Sequence, residues 1–170
     1  RSSDLSRTHK PLLEDFKEDL EFVVNENNFV LGSSVADFEK VYAEFENFKF
    51  CVAVDNGTNA IELALRSLGV GPHDEVILPA VSFVATAFAI TRIGAKPILV
   101  DILEDSPHLD IQNVMKAINR RTKAIIYVSL HGTIQNLEEL VKIAKIHNVK
   151  LILDGAQSQG LRFDSSPMNN

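Results

Sequence analysis

The 170-residue chain carries 17 basic and 23 acidic side chains, a net charge of −6. That balance argues against a general nucleic-acid binder, whose footprint is a basic patch, and leaves room for anionic small molecules held by local donors. Apolar residues make up 45% and charged residues 24%, the composition of an ordinary globular protein with enough chain for one α/β domain and its core. Cys51 is the lone cysteine, so there is no internal disulfide and no cysteine metal cluster. It sits in the apolar run Phe50–Val54 and is expected in the core. Arg1 to Lys10 is polar and has no signal-peptide core. No apolar stretch approaches the roughly 20 residues of a membrane span. A cytoplasmic protein in a reducing compartment is expected.

The chain opens with a helical pattern over Pro11 to Asn25, with Leu12, Phe16, Leu20 and Val23 at helical spacing. Asn27, Asn28 and Gly32 interrupt it. Ser34 then starts a second helix, Val35 to Glu46, with Phe38, Val41, Tyr42 and Phe45 on one side. From Phe50 the pattern changes to short apolar runs separated by helices. The runs are Phe50–Val54, Glu75–Leu78, Pro97–Val100, Ala124–Val128 and Leu151–Leu153, and the helices are Asn59–Leu68, Ser82–Ile93, Ile111–Ile118 and Leu137–His147. Asp110 and Asn136 are predicted N-caps, and Glu139 three residues after Asn136 predicts a capping box. Strands buried on both faces with helical crossovers make a parallel, doubly wound sheet. Such sheets bind ligands beyond the carboxyl ends of their strands, here Asp55, Pro79, Asp101, Ser129 and Asp154. Leu161 to Asn170 is polar and turn-like, so the chain is expected either to stop early or to continue in a longer protein.

Three stretches at these ends could carry chemistry. Asp55-Asn56-Gly57-Thr58-Asn59 joins a strand to a helix. Gly57 lets backbone approach a ligand, and the N–H groups of the helix start, with the Thr58 hydroxyl, suit a phosphate. A plain turn with an N-cap explains the same residues. Ser82-Phe83-Val84-Ala85-Thr86 places an aromatic ring where it could stack on a flat cofactor, or simply join the core. Asp154-Gly155-Ala156-Gln157 puts a carboxylate at the end of a buried strand, where it could hold a proton on a ring nitrogen, cap a helix or form an ion pair. His131, beside Gly132, is a further candidate facing the site. His73, His108 and His147 are expected at the surface, and Asp101 in a structural role. The scattered histidines offer no metal-ligand spacing. Neither Gly-x-Gly-x-x-Gly nor a Gly-Lys-Ser/Thr loop occurs.

In order and spacing, these stretches resemble the DegT/DnrJ/EryC1/StrS family of pyridoxal-phosphate (PLP) aminotransferases of fold type I. The likeness runs from about Asp4 to Gly160 and includes Phe29-Val30-Leu31-Gly32, Val52 to Ala60, Gly69 to Ile77, Ser82 to Thr86, Gly94-Ala95-Lys96-Pro97, Arg121 to Ile126 and Asp154 to Gln157. It implies a three-layer α/β/α fold with a mainly parallel sheet, the large domain of the family, truncated. Residues 1–48 would be amino-terminal helices, 49–160 the PLP-binding domain and 161–170 a tail, with the small carboxyl-terminal domain absent. The resemblance further implies that Gly57 and Thr58 bind the PLP phosphate, Phe83 stacks on the pyridine ring, Asp154 keeps the ring nitrogen protonated and Gln157 bonds the ring's phenolic oxygen. Thr86 and His131 are secondary candidates.

The implied reaction is amino transfer from an amino acid donor to a keto-sugar nucleotide, in a homodimer, with no nucleic-acid or membrane partner. His131-Gly132 stands where the family has an aromatic residue or histidine before Gly, and Gly155 replaces its Ala. The larger departure is that no lysine follows Lys150, so the family's Schiff-base lysine is missing and the chain alone is expected to be inactive. A PLP-dependent sugar dehydratase of the same family stays open. So does a non-catalytic truncated homologue that binds PLP or a partner. A nucleotide-binding oxidoreductase lacks its fingerprint.

Overall fold

Residues 5–161 are described by the computed structural model, and they divide into two units at the Ala53–Val54 junction. The expected tail after Leu161 lies outside the described residues.

The first unit is helical. A short helix α1 (Ser6–His9) and a 3-10 turn (Lys10–Leu12) lead into α2 (Leu13–Asn25), and α3 (Ser33–Glu46) follows. The predicted apolar positions of α2 are there, but no residue of that helix is buried. In α3 only Ala43 is buried, and Phe38 stacks on Tyr42 with ring centroids 5.4 Å apart. Gly32, rather than Ser34, occupies the N-cap of α3. Asn47 ends it in the left-handed conformation that helix stops favour.

The second unit is built on β1 (Glu75–Pro79), β2 (Lys96–Val100), β3 (Thr122–Val128) and β4 (Lys150–Asp154), ordered β2-β1-β3-β4 and parallel throughout. Helices α4 (Gly57–Ser67), α5 (Val84–Arg92), α6 (Ile111–Ala117) and α7 (Leu137–Ile146) cover it. The period-2 alternation of a strand assigns the layers. Val76, Leu78, Ala124 and Ile126 face one cluster with Ile61 and Leu65 of α4 and Ala89 and Ile90 of α5. Ile77, Ile125 and Tyr127 face the other, with Val114 of α6 and Leu137, Leu140 and Ile143 of α7. The expected three-layer α/β/α arrangement is therefore observed. Each fully buried Leu or Ile of these layers contributes about 1.5–3 kcal/mol relative to exposure. Truncating one, such as Leu140→Ala, costs about 2–5 kcal/mol.

Four of the five predicted strands form. The fifth run, Phe50–Val54, does not: Phe50 and Val52 are 75% and 77% exposed. A strand exists only by pairing, and no strand among the described residues pairs with this run. Among the described residues its polar tie is Ala53 N–H, which donates to Glu39 Oε1 at 2.8 Å. Cys51 is accordingly half-buried rather than core.

Asp110 caps α6 as expected, accepting from Gln112 N–H at 2.8 Å. Asn136 precedes α7 in the left-handed region (φ 60°), and its side chain makes no cap hydrogen bond. The expected capping box is absent because a capping side chain needs extended backbone to reach the first turn. His108, expected at the surface, is 2% exposed. The segment after β2 folds back on itself through an Ile102–Leu109 bridge, with Leu103 N–H donating to His108 O at 2.9 Å. That reversal turns the imidazole onto the Tyr127 ring, centroids 5.7 Å apart.

Candidate active site at the carboxyl edge of the sheet

Parallel register brings the strand ends to one edge: Pro79 pairs with Val100, and Val128 with Asp154. The chain leaves β1 for α5 on one face and β3 for α7 on the other. The strand order reverses between β1 and β3, and such a switch point opens a crevice at the carboxyl edge.

The phosphate-type turn is well formed. Asn56 caps α4 by accepting from Asn59 N–H at 2.9 Å. The N–H groups of Gly57 and Thr58 lie in the first turn, where a helix supplies no acceptor of its own. A Cβ added at Gly57 would meet nothing within 4 Å, so that side of the turn is open. Behind it, Asn59 Nδ2 donates to both Asp55 oxygens at 2.7 and 2.8 Å, and Asn56 Nδ2 donates to Asp55 Oδ2 at 2.9 Å. Arg92, at the end of α5, donates to Asn59 Oδ1 at 3.0 Å and pairs with Glu62 Oε2 at 2.9 Å. Asn59, the end of the candidate stretch, and Arg92, which was not singled out from the sequence, hold this turn. Residues 33 positions apart carry no local signal of contact.

Phe83 stands immediately before α5 and is 73% exposed, so its ring is a free face and not a core residue. Thr86 is buried, and its hydroxyl meets Ser82 Oγ at 3.1 Å. That contact ties down the turn carrying Phe83.

Asp154 ends β4 half-exposed, with Oδ1 accepting from Ala156 N–H at 3.2 Å. Gln157 Oε1 accepts from His131 N–H. A backbone donor fixes which end of the amide faces it, so the Gln157 NH2 is left as the donating end. The two turns are locked together. Ser129 N–H and Oγ both donate to Asp154 O, at 3.1 and 3.0 Å, and Ser129 Oγ lies 2.6 Å from Ser158 Oγ. Gly132 has φ +69°, and a Cβ there would sit 2.8 Å from Gln157 O. Only glycine allows this approach without strain. The structure thus joins His131 to the Asp154–Gln157 turn, while Gly57 and Thr58 belong to the separate Asp55–Asn59–Arg92 network. Ser129 and Ser158 are further site residues that sequence reasoning missed; Ser129 was marked only as a strand end. His73 and His147 are exposed, as expected. Among the described residues no group of three or more His, Cys, Asp or Glu is placed to hold a metal ion, and no helix is long and apolar enough to cross a membrane.

A family model described as the DegT/DnrJ/EryC1/StrS aminotransferase family matches residues 11–168. The chain belongs to this family. It is 39% identical over 150 residues to the dTDP-3-amino-3,4,6-trideoxy-alpha-D-glucose transaminase of Micromonospora megalomicea subsp. nigra, covering 88% of this chain and 40% of that protein. Among solved structures, S. venezuelae DesV superposes with a TM-score of 0.89 at 34% identity, covering 92% of this chain and 42% of that one. NtdA from Bacillus subtilis, with bound cofactor PMP, superposes at 0.86 and 35% identity, over 88% of this chain and 34% of its own. The chain therefore spans about two fifths of the length of such DegT/DnrJ/EryC1/StrS relatives.

The family's cofactor is PLP or its amino form PMP, and the residues present fit such a group. A flat, phosphorylated ring with a basic nitrogen and a phenolic oxygen needs backbone donors, an aromatic face, a carboxylate and an amide donor. Gly57 and Thr58 offer the first, Phe83 the second, Asp154 the third and Gln157 the last.

Proposed function

We propose that this chain forms the cofactor-binding part of an aminotransferase that moves an amino group from an amino acid, such as glutamate, to a keto-sugar nucleotide. The observation that carries this reading is the turn Asp154–Gln157. It sits at the sheet's carboxyl edge and presents a carboxylate and an amide donor that His131 N–H holds in one orientation. The transaminase name of the Micromonospora relative supports the sugar-nucleotide substrate.

When bound, PLP supplies an electron sink through its pyridinium ring. The chain's own residues bind and orient. The Gly57 and Thr58 N–H groups and the Thr58 hydroxyl hold the phosphate, with the positive end of α4 behind them. Phe83 covers one face of the ring and excludes water from it. The Asp154 carboxylate keeps the proton on the ring nitrogen, and the Gln157 NH2 donates to the phenolic oxygen. No lysine follows Lys150 in these 170 residues. The division into helices (1–48), PLP-binding domain (49–160) and tail (161–170), a cytoplasmic location and a homodimer complete the proposal. The exposed apolar side chains of α2 and α3, among them Phe16, Leu20, Phe38 and Val41, support the homodimer.

PLP titration followed by absorbance and equilibrium dialysis tests this reading. Saturable uptake that Asp154→Ala weakens by about tenfold, the worth of one charge-assisted contact, is expected. Uptake indifferent to Asp154, or no uptake at all, would overturn it.

A further inference from the structure

The Gln157 amide and the Asp154 turn are hydrogen-bonded to a short stretch, Ser129 to Gln135, which is itself held by a buried polar cluster. Tyr127 is 1% exposed and His108 is 2% exposed. Tyr127 Oη donates to Gln135 O at 3.0 Å, accepts from Gln135 N–H at 2.8 Å and lies 3.0 Å from His108 Nδ1. His108 Nε2 lies 3.0 Å from Thr133 Oγ1, whose hydroxyl donates to Leu130 O at 3.0 Å.

The Thr133 and Tyr127 hydroxyls donate to Leu130 O and Gln135 O, which anchors both side chains to backbone carbonyls of the stretch, and their oxygens lie against the two ring nitrogens of His108. Burial lowers the His108 pKa and raises that of Tyr127, which keeps both groups neutral. The cluster grips the stretch at Thr133 and Gln135. Between that grip and Ser129, His131 and Gly132 are held at φ 59° and 69°. This is a backbone shape that a residue other than glycine adopts only under constraint. It is the shape that aims His131 N–H at Gln157 Oε1.

We propose that His108 and Tyr127 are positioning residues that hold the 129–135 turn and, through His131, set the orientation of the Gln157 amide toward the cofactor ring. Neither residue touches the site. The cofactor part of this statement rests on the PLP reading above; the clamp itself does not.

The test uses the full chain with Tyr127→Phe, which keeps the ring and its packing, and with Thr133→Val, which keeps the shape and removes the hydroxyl. Amide hydrogen exchange by NMR is read for His131 and for Asn59, whose N–H is held in the other network, alongside PLP titration. In Tyr127→Phe, His131 exchange is expected to speed by about tenfold, the loss of one buried hydrogen bond, with Asn59 unchanged. Thr133→Val should move His131 in the same direction by less. The bound-PLP absorption band should shift, because the hydrogen bond to its phenolic oxygen changes. If both amides speed alike, the role is global stability and the clamp is overturned; the same holds if His131 does not respond. If the unsubstituted chain takes up no PLP, the functional reading fails, and His131 exchange still decides the clamp. If PLP binds and the clamp is seen but the absorption band stays fixed, the link from the clamp to the ring is overturned.

Discussion

The two edges of the sheet treat their polar groups in opposite ways. At the amino edge Glu75 opens β1 and is 3% exposed. Its Oε1 lies 2.7 Å from Arg121 Nη2 and 3.7 Å from Lys96 Nζ, and its Oε2 accepts from Asn119 Nδ2 at 2.7 Å. Every acceptor on that carboxylate is used within the protein. The Asn119 hydrogen bond, helped by Arg121 and Lys96, lowers its pKa against the opposing cost of burial. At the carboxyl edge Asp154 has one backbone donor among the described residues, and Phe83 is bare. A carboxylate whose partners are all internal contributes to stability. One left open at a strand end is available to a ligand, and such locally unsatisfied groups mark functional places in an otherwise consistent fold.

Substitutions should separate the edges. Glu75→Ala is expected to cost the most, about 2–3 kcal/mol in urea unfolding, from lost charged hydrogen bonds, with PLP uptake by the folded protein unchanged. The pH dependence of the parent should show the same group. Because the folded pKa of Glu75 lies below its ordinary 4.5, the unfolded chain binds the proton first. Its contribution is therefore complete above pH 4.5 and lost as pH falls through the folded value. His108 adds an earlier loss: its pKa is lowered from 6.5 by burial, so stability declines as pH drops below 6.5. His108→Gln should flatten that first segment of a stability–pH series.

Gly132→Ala should come next, at about 1–2 kcal/mol for forcing a Cβ into the left-handed region. Here the loss should appear at the carboxyl edge, as weaker PLP uptake, because the new Cβ meets Gln157 O. Asn56→Ala removes the α4 cap and is expected to cost about 1 kcal/mol, with a parallel loss of PLP affinity as the Gly57–Thr58 turn frays. Asp154→Asn should be smallest in stability, within about 0.5 kcal/mol for a half-exposed site, while weakening PLP uptake most per unit of stability lost. An Asp154→Asn protein as destabilised as Glu75→Ala would erase the distinction between the edges.

Much of this was legible in the chain itself. The alternation of short apolar runs with helical stretches identified β1 to β4 and α4 to α7, because burial on both faces leaves its mark in hydrophobic spacing. The same spacing placed Asp154 and the turn before Phe83 at strand ends. Glu75 was read only as the start of a strand; its buried ion pair was not foreseen, because Arg121 is distant in sequence.

Local chemistry set the N-cap at Asp110, the turn glycines and the run of motifs that marks the family. Contacts between distant residues were decided only by the fold. Phe50–Val54 has the composition of a strand, but strand formation requires a neighbour with free backbone groups, and composition does not say whether one is present. His108 looks like a surface residue until the Asp101–Asp110 excursion folds it against Tyr127. Asn136 has the right side chain for a cap and the wrong backbone angle. The meeting of His131 with Gln157, 26 residues later, follows from the parallel pairing of β3 with β4. Periodicity reports which face of an element is buried; which residues meet across elements depends on register and loop path, which the tertiary structure alone determines.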